Sequence, residues 1–442
     1  MGTILFLIDD YASHLHATLR MARKLHARSH SVTYLGFTKA RSIVELQGFS
    51  FAPAECIVPL PTPGPLFSRG TSSGCREQEK PGKTGLISSI ITEVEHLVRQ
   101  YEPKLLVFDP FLLPYYIAFW AHGIPAVALS TKPFLDWDLH VPPYTSAFVP
   151  MPSAGLGIRV QAAWLGCWAA YGAYKARCWW HRLVTGQSAV ALIRGLAAAV
   201  GYPLDREWVR RPVSFDFCLR SVPELVLWTP GSDLPRRSPL RSNVRYVGAS
   251  VDLERREPGL DLRVLPPGSK LAYCSVGSLE NRRLAAPRRR FLNKVIEAFR
   301  ALPEIGLLVA AGVNVVEDQS LNLPPNVRLV TNAPQLAVLR RAHLMLTEGG
   351  SNSIKECVHM GVPMLVYPRN ADQPGNSARI LFHGLGLRGH PEHDSPSDIA
   401  SKVIRVLNSD DFKHRLNRLR AEFIDYDARN VDVNQLEHNM LP

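Results

Sequence analysis

The 442-residue sequence has no unbroken apolar run long enough to cross a bilayer. Its two longest candidates are "LLVFDPFLLPYYIAFWA" and "VQAAWLGCWAAYGAY". The first is interrupted by Asp109 and two prolines, and the second falls short of the ~20 residues a spanning helix needs. The opening "TILFLID" has neither a basic flank nor a small-residue cleavage site, so no secretory leader is expected. Cysteine is sparse: seven residues, an odd number without metal-like pairing, read as reduced thiols rather than a disulfide framework or a metal site. A cytoplasmic protein is the simplest expectation. Acidic residues are outnumbered, 39 against 51 Lys plus Arg, for a net charge of +12. The arginine doublets (Arg210-Arg211, Arg282-Arg283, Arg340-Arg341) are scattered and lack interleaved aromatics. That argues against a nucleic-acid face and fits attraction to anionic substrates or an anionic membrane surface.

What remains is an ordinary globular composition, 46% apolar and 20% charged, in a chain too long for one core. Apolar runs alternate with helical periodicity. "TILFLID" precedes a helix carrying Leu15, Leu19, Ala22 and Leu25, and the strand "SVTYLGF" follows it. A second unit runs through "GLISSIITEVEHLVRQY", "PKLLVFD", "PYYIAFWAHG" and "IPAVALS". Between the units, "PLPTPGPLFSRGTSSGCREQEKPGKTG" reads as a long loop. Residues 155–200 are dense in Trp, Ala and Arg. They read either as a buried helix pair or as an amphipathic wall for a greasy acceptor or a membrane surface. "ELVLW" and "NVRYVG" are strands. Past a Pro/Arg-rich connector the alternation resumes with "KLAYCSVGS", and it continues through "PMLVYP". Two parallel α/β sets imply two Rossmann-like domains facing across a cleft, with ligands beyond the carboxyl ends of the strands.

One stretch concentrates chemistry: "TEGGSNSIKECVHMGVPMLVYPRNADQ", from Thr347 to Gln373. Gly349 and Gly350 allow a close backbone approach. Ser351, Asn352 and Ser353 are suited to cap a helix whose N-terminus attracts anions. Glu356 follows one turn later. Asp372 and Gln373 follow the next strand and suit the hydroxyls of a sugar. Glu348 stands against this pattern. An ionised carboxylate ~4 Å from a diphosphate costs several kcal/mol at an effective dielectric of 20, and the helix end returns only about half a charge. Three arrangements remove the conflict: the side chain turns away, it is protonated, or it meets a positive partner.

These residues, with Pro334-Gln335 before them and Gly361-Val362-Pro363 and Asn376 after, resemble the donor-binding signature of the GT-B glycosyltransferases that includes plant, bacterial and antibiotic UDP- or TDP-sugar transferases (family 1). "ILFLIDDYASHLHATLRMARKLHARSHSVTYL", "LLVFDPFLLPYYIAFWAHGIPAVALST" and "YCSVGS" resemble its other landmarks. The resemblance implies a GT-B fold: an acceptor-binding domain over 1–235, a nucleotide-sugar domain over 236–409, and a C-terminal helix over 410–442 that returns to the first domain. It implies that His14 is the general base and that Asp109 orients it. Ser278, Gly350, Asn352 and Ser353 would hold phosphates, Gln335 and Glu356 base and ribose, and Asp372 and Gln373 the sugar. Glu348 and Asn332 occupy the positions of the family's phosphate-binding histidine and base-stacking aromatic. The implied reaction is a single inverting displacement on a nucleotide-diphosphate sugar by a hydroxyl or amine of a hydrophobic small molecule, plausibly a natural product. It needs no metal and no tightly bound cofactor. Two alternatives stand beside it: a catalytically weak homologue serving as a partner protein, and a membrane-surface transferase acting on a lipid.

Overall fold

A computed structural model describes residues 2–54, 56, 83–153, 155–185, 189–209, 211, 218–257, 259, 270–276, 282–312 and 322–440. Most of the expected Pro/Gly/Ser-rich loop (residues 59–82), part of the Pro/Arg-rich connector, and Ser278 lie outside these residues.

Two wholly parallel sheets make up the body. The first contains β1 (Thr3–Leu7), β2 (Ser31–Gly36), β3 (Ser50–Pro53), β4 (Pro103–Phe108) and β5 (Ala126–Ser130). A short antiparallel ribbon follows, β6 (Trp208–Val209) with β7 (Cys218–Leu219). Then β8 (Glu224–Val226) and β9 (Val244–Tyr246) complete the first sheet in the order β3-β2-β1-β4-β5-β8-β9. This sheet therefore runs on to Tyr246, past residue 235. The second sheet comprises β10 (Lys270–Ser275), β11 (Ile305–Ala310), β12 (Val327–Val330), β13 (Leu344–Thr347), β14 (Met364–Val366) and β15 (Gly386–Arg388), in the order β12-β11-β10-β13-β14-β15. The strands read as near-continuous apolar runs because helices cover both faces of each sheet. Two buried clusters flank the first sheet and two the second.

In both sheets the order reverses beside the first strand, between β1 and β4 and between β10 and β13. Loops leaving those neighbours diverge to opposite faces and open a crevice there. Leu7 pairs with Phe108 at the end of one pair, and Ser275 with Thr347 at the end of the other. Chain segments emerging at Ile8 and Asp109 are thus adjacent, as are those emerging at Val276 and Glu348.

Buried contacts hold the halves together. Asp233 accepts from the Arg379 guanidinium at 2.6 and 2.8 Å and from Tyr246 Oη at 2.5 Å. Gly375 donates its N–H to Tyr144 O at 2.9 Å. A Cβ on Gly375 would meet that carbonyl oxygen at 2.1 Å, so only glycine permits the approach. The helix Asp410–Arg429 packs Leu416, Leu419 and Phe423 into the second sheet's core. After a left-handed turn at Asn430, the helix Val431–His438 sends Val433 and Leu436 into the first. Both helices of the 410–442 segment reach the first half: Glu422 accepts the Gly231 N–H at 2.9 Å, and the last helix enters the core. Arg20 anchors it, with Nη1 2.5 Å from Asp432 Oδ2 and Nη2 2.7 Å from Asp427 O.

The region 155–200 splits. Ala189–Val200 packs Leu192, Ile193 and Leu196 into the first core, as a buried helix should. Leu156–Thr185 does not: beyond Trp164 none of its described side chains is buried.

Asp432→Ala strands the buried Arg20 with Asp427 as its remaining carboxylate. Breaking a buried pair costs about 3–5 kcal/mol. A loss of about 3 kcal/mol, toward that lower bound, is expected in urea unfolding. A loss below ~0.5 kcal/mol would show that this clamp does not hold the terminal helix.

Candidate active site between the two sheets

β1 ends in an extended segment to Tyr11, and the helix Ala12–Ala27 then presents His14 at its start. β4 ends at Asp109, which caps the turn Pro110–Leu112 by accepting the Phe111 N–H through Oδ1 at 3.0 Å. Its other oxygen, Oδ2, is bonded to His14 Nδ1. The carboxylate thus places the ring proton on Nδ1. Among the described residues Nε2 has no hydrogen-bond partner. The imidazole stacks on Phe111 with centroids 5.4 Å apart, and Lys132 Nζ sits 4.8 Å from the same ring's centre. Burial opposes charging His14, but the charge and hydrogen bond of Asp109, with Asp9 behind, outweigh it and raise its pKa above the ordinary 6.5. Asp109 is itself buried, yet His14 and the Phe111 N–H hold it below the usual carboxylate range. His16, two residues on, is pushed down to about 3 by burial and by Arg255, and has no carboxylate partner.

The second sheet brings its own turn against this pair. Gly349 has φ +88°, and a Cβ there would meet Val366 at 2.9 Å. Gly350 precedes the helix Ser351–Met360 in extended backbone. The expected side-chain caps are not formed. Ser351 Oγ donates to Asp372 Oδ2 at 2.8 Å, Asn352 Nδ2 to Ser13 O at 2.5 Å, and Ser353 Oγ accepts from Gln335 Nε2 at 3.3 Å. These side chains are committed elsewhere. Among the described residues the N–H groups of Ser351, Asn352 and Ser353 have no acceptor, which leaves the helix N-terminus open. The Asn352 bond also sets the turn one residue from His14.

Around it the predicted residues gather. Gln335 Nε2 donates to Glu356 Oε2 at 2.7 Å, and Glu356 Oε1 accepts from Arg255 Nη1 at 2.8 Å. Asn376 Nδ2 donates to Asp372 Oδ2 at 2.9 Å and to Gly349 O at 2.9 Å. Gln373 is buried, and its Oε1 accepts the Arg369 and Asn370 N–H groups at 2.8 and 3.0 Å, so that oxygen shapes the loop. Asn332 is exposed and joins none of these bonds.

Glu348 is resolved by a partner. It is 3% exposed, and both its oxygens are held by Arg288, Nε to Oε1 at 3.0 Å and Nη2 to Oε2 at 2.9 Å. The Arg369 guanidinium lies 3.1 Å from Oε1. Arg369 also reaches the exposed Glu392, Nη1 to Oε1 at 3.3 Å. Glu348 is thus charge-compensated beside the turn, where a bare carboxylate would repel. Neither arginine was expected from the sequence. Arg369 sits within the quoted motif, between β14 and Asp372, but Arg288 lies in "PRRR", remote along the chain.

Comparison with known proteins agrees with this fold. Residues 305–433 match the family model for the erythromycin biosynthesis protein CIII-like C-terminal domain. The chain superposes over 100% of its length on the glycosyltransferase of kitacinnamycin (99% of that chain, TM-score 0.69, 21% identity). It superposes over 99% on a spinosyn rhamnosyltransferase solved with thymidine diphosphate (100% of that chain, TM-score 0.61, 18% identity). The chain has the GT-B fold of these glycosyltransferases. In sequence, this GT-B chain is 26% identical over 211 residues to a zeaxanthin glucosyltransferase of Pseudescherichia vulneris, covering 48% of each. It spans about half the length of the curated relatives it matches.

Glu348→Gln removes the buried carboxylate shared by Arg288 and Arg369, and leaves Arg369 the exposed Glu392. The free GT-B chain should lose about 3–5 kcal/mol in urea unfolding. An unchanged stability would mean that the arginines do not close on Glu348 in solution.

Proposed function

We propose that the protein transfers a sugar from a nucleoside-diphosphate donor to a hydroxyl or amine of a hydrophobic small molecule, by one inverting displacement. The observation that carries this reading is the His14–Asp109 pair standing one residue from the contact that ties the Gly350–Ser353 turn to Ser13. Base and anion site lie on different sheets, yet they open on one crevice.

In the proposed reaction the acceptor O–H donates to His14 Nε2. The hydroxyl oxygen attacks the anomeric carbon as its proton passes to the ring. The bond from that carbon to the phosphate oxygen breaks, and the electron pair leaves with the nucleoside diphosphate. Asp109 stabilises the imidazolium that forms and fixes its tautomer. The N–H groups of Ser351–Ser353 face the charge gathering on the leaving group, beside a Glu348 that Arg288 and Arg369 compensate. Gln335 and Glu356 are assigned to base and ribose, and Asp372 with Gln373 to the sugar hydroxyls. The nucleoside diphosphate donor and a small hydrophobic acceptor are carried to this chain from its relatives; one neighbour was solved with thymidine diphosphate. The alternative of a catalytically weak partner protein rested on the missing phosphate histidine. Neutralisation of Glu348 by two arginines removes its main support.

His14→Ala should lower turnover by about 10²–10⁴-fold with nucleoside diphosphate affinity nearly intact. His16→Ala should change turnover little. Equal losses would mean that the wrong histidine has been named. His14 must be neutral to accept a proton, so the rate falls as pH drops through its raised pKa. Asp109→Asn removes the charge that raises it. The acid limb of kcat/KM should therefore move to lower pH while the plateau rate drops. A limb that stays in place would separate Asp109 from the titration of His14. Alanine at Asp372 should weaken a sugar nucleotide much more than the bare nucleoside diphosphate. Equal weakening of both would make Asp372 a fold residue.

A further inference from the structure

The helix Leu156–Thr185 leaves the body after Trp164, whose indole is buried and donates to Val141 O at 2.9 Å. From Leu165 to Val184 every residue is exposed or only partly covered. At 1.5 Å per residue this projecting part extends roughly 30 Å.

Its side chains are sorted by face. At about 100° per residue, Ile158, Leu165, Trp168, Trp179, Trp180 and Leu183 fall within one arc of roughly 120°. They are 78, 61, 43, 62, 65 and 59% exposed. Arg159 and Arg177 border the arc on one side, Lys175 and Arg182 on the other. The far face carries Tyr171 and Tyr174, stacked at 6.3 Å. The charge pattern is one-signed over a long stretch. From Leu139 to Leu204 the sequence contains no Asp or Glu, although the chain has 39 of them. No single helix among the described residues is long and apolar enough to cross a membrane. Leu156–Val184 and Ala189–Val200 are long and apolar enough only when taken together, and they bend by 76°.

We propose that this helix docks the protein on an anionic lipid surface. The Trp/Leu stripe lies at the boundary between headgroups and acyl chains, where indole rings favour the interface, and the bordering cations meet acidic headgroups. The absence of any carboxylate across the segment removes the repulsion that such a surface would otherwise impose. A protein partner would need only the apolar stripe. Cations along both edges match a plane of negative charge.

Flotation of the full chain tests the assignment, using vesicles of phosphatidylcholine mixed with phosphatidylglycerol and vesicles of phosphatidylcholine alone. The chain should float with the mixed vesicles, remain largely unbound with the neutral ones, and be released by high salt. Arg177→Glu with Arg182→Glu should lower the partition coefficient at least about tenfold. Trp179→Ser with Trp180→Ser should lower it comparably. Both pairs are exposed, so their melting temperatures should match the parent. The proposal is overturned if the parent does not float with mixed vesicles, or if it floats equally with both lipids and neither pair matters. It is also overturned if the tryptophan substitutions dissolve a dimer seen by sedimentation while vesicle binding is absent.

Discussion

The molecule is organised by one constraint: the two places where its parallel sheets reverse strand order must open on the same crevice. In the proposed reaction each sheet supplies half of the site, and neither half would do the chemistry alone. The Asn352 amide on the Ser13 carbonyl is the point of contact, and buried pairs at Arg20 and Arg379 fix the halves around it. Gly375 fits this frame because the Tyr144 carbonyl occupies the space a side chain would take.

Charge is the second theme. Arg20, Arg211, Arg255, Arg288 and Arg379 are all buried, and each meets at least one carboxylate. Such pairs add little net stability over an apolar core, because desolvation offsets their attraction, but they penalise any arrangement that leaves one partner alone. Beside the Gly350–Ser353 turn the buried Glu348 is shared by two guanidinium groups, one of which also reaches the exposed Glu392. That compensation lets a glutamate stand where an anion is expected to dock.

Much of this was legible in the sequence. Alternating strands and helices specified two parallel α/β halves, because strands covered on both faces must be apolar throughout. The 335–376 stretch brought its residues together in space because its spacing follows the helix and strand periods. Other features were not legible. Arg288 is 60 residues from Glu348 along the chain, and only the packing of its helix on the second sheet makes them partners. For the helix Leu156–Thr185 the sequence left a buried and an exposed apolar face both open, since periodicity reports that an apolar face exists and not what covers it. The strand at Val244–Tyr246 lies past the expected boundary at 235, yet it adds to the first sheet, and no local signal says which sheet a strand joins. The final return depends on a single left-handed residue, Asn430, which local propensity does not reveal.

The most direct test of a shared crevice is a crystal structure of the protein with a nucleoside diphosphate. The phosphates should lie within hydrogen-bond distance of the Ser351–Ser353 N–H groups, with the Arg288–Glu348 pair intact and His14 Nε2 facing the terminal phosphate across room for a sugar. Phosphates bound away from that turn, or a ligand that leaves His14 outside the crevice, would contradict the account.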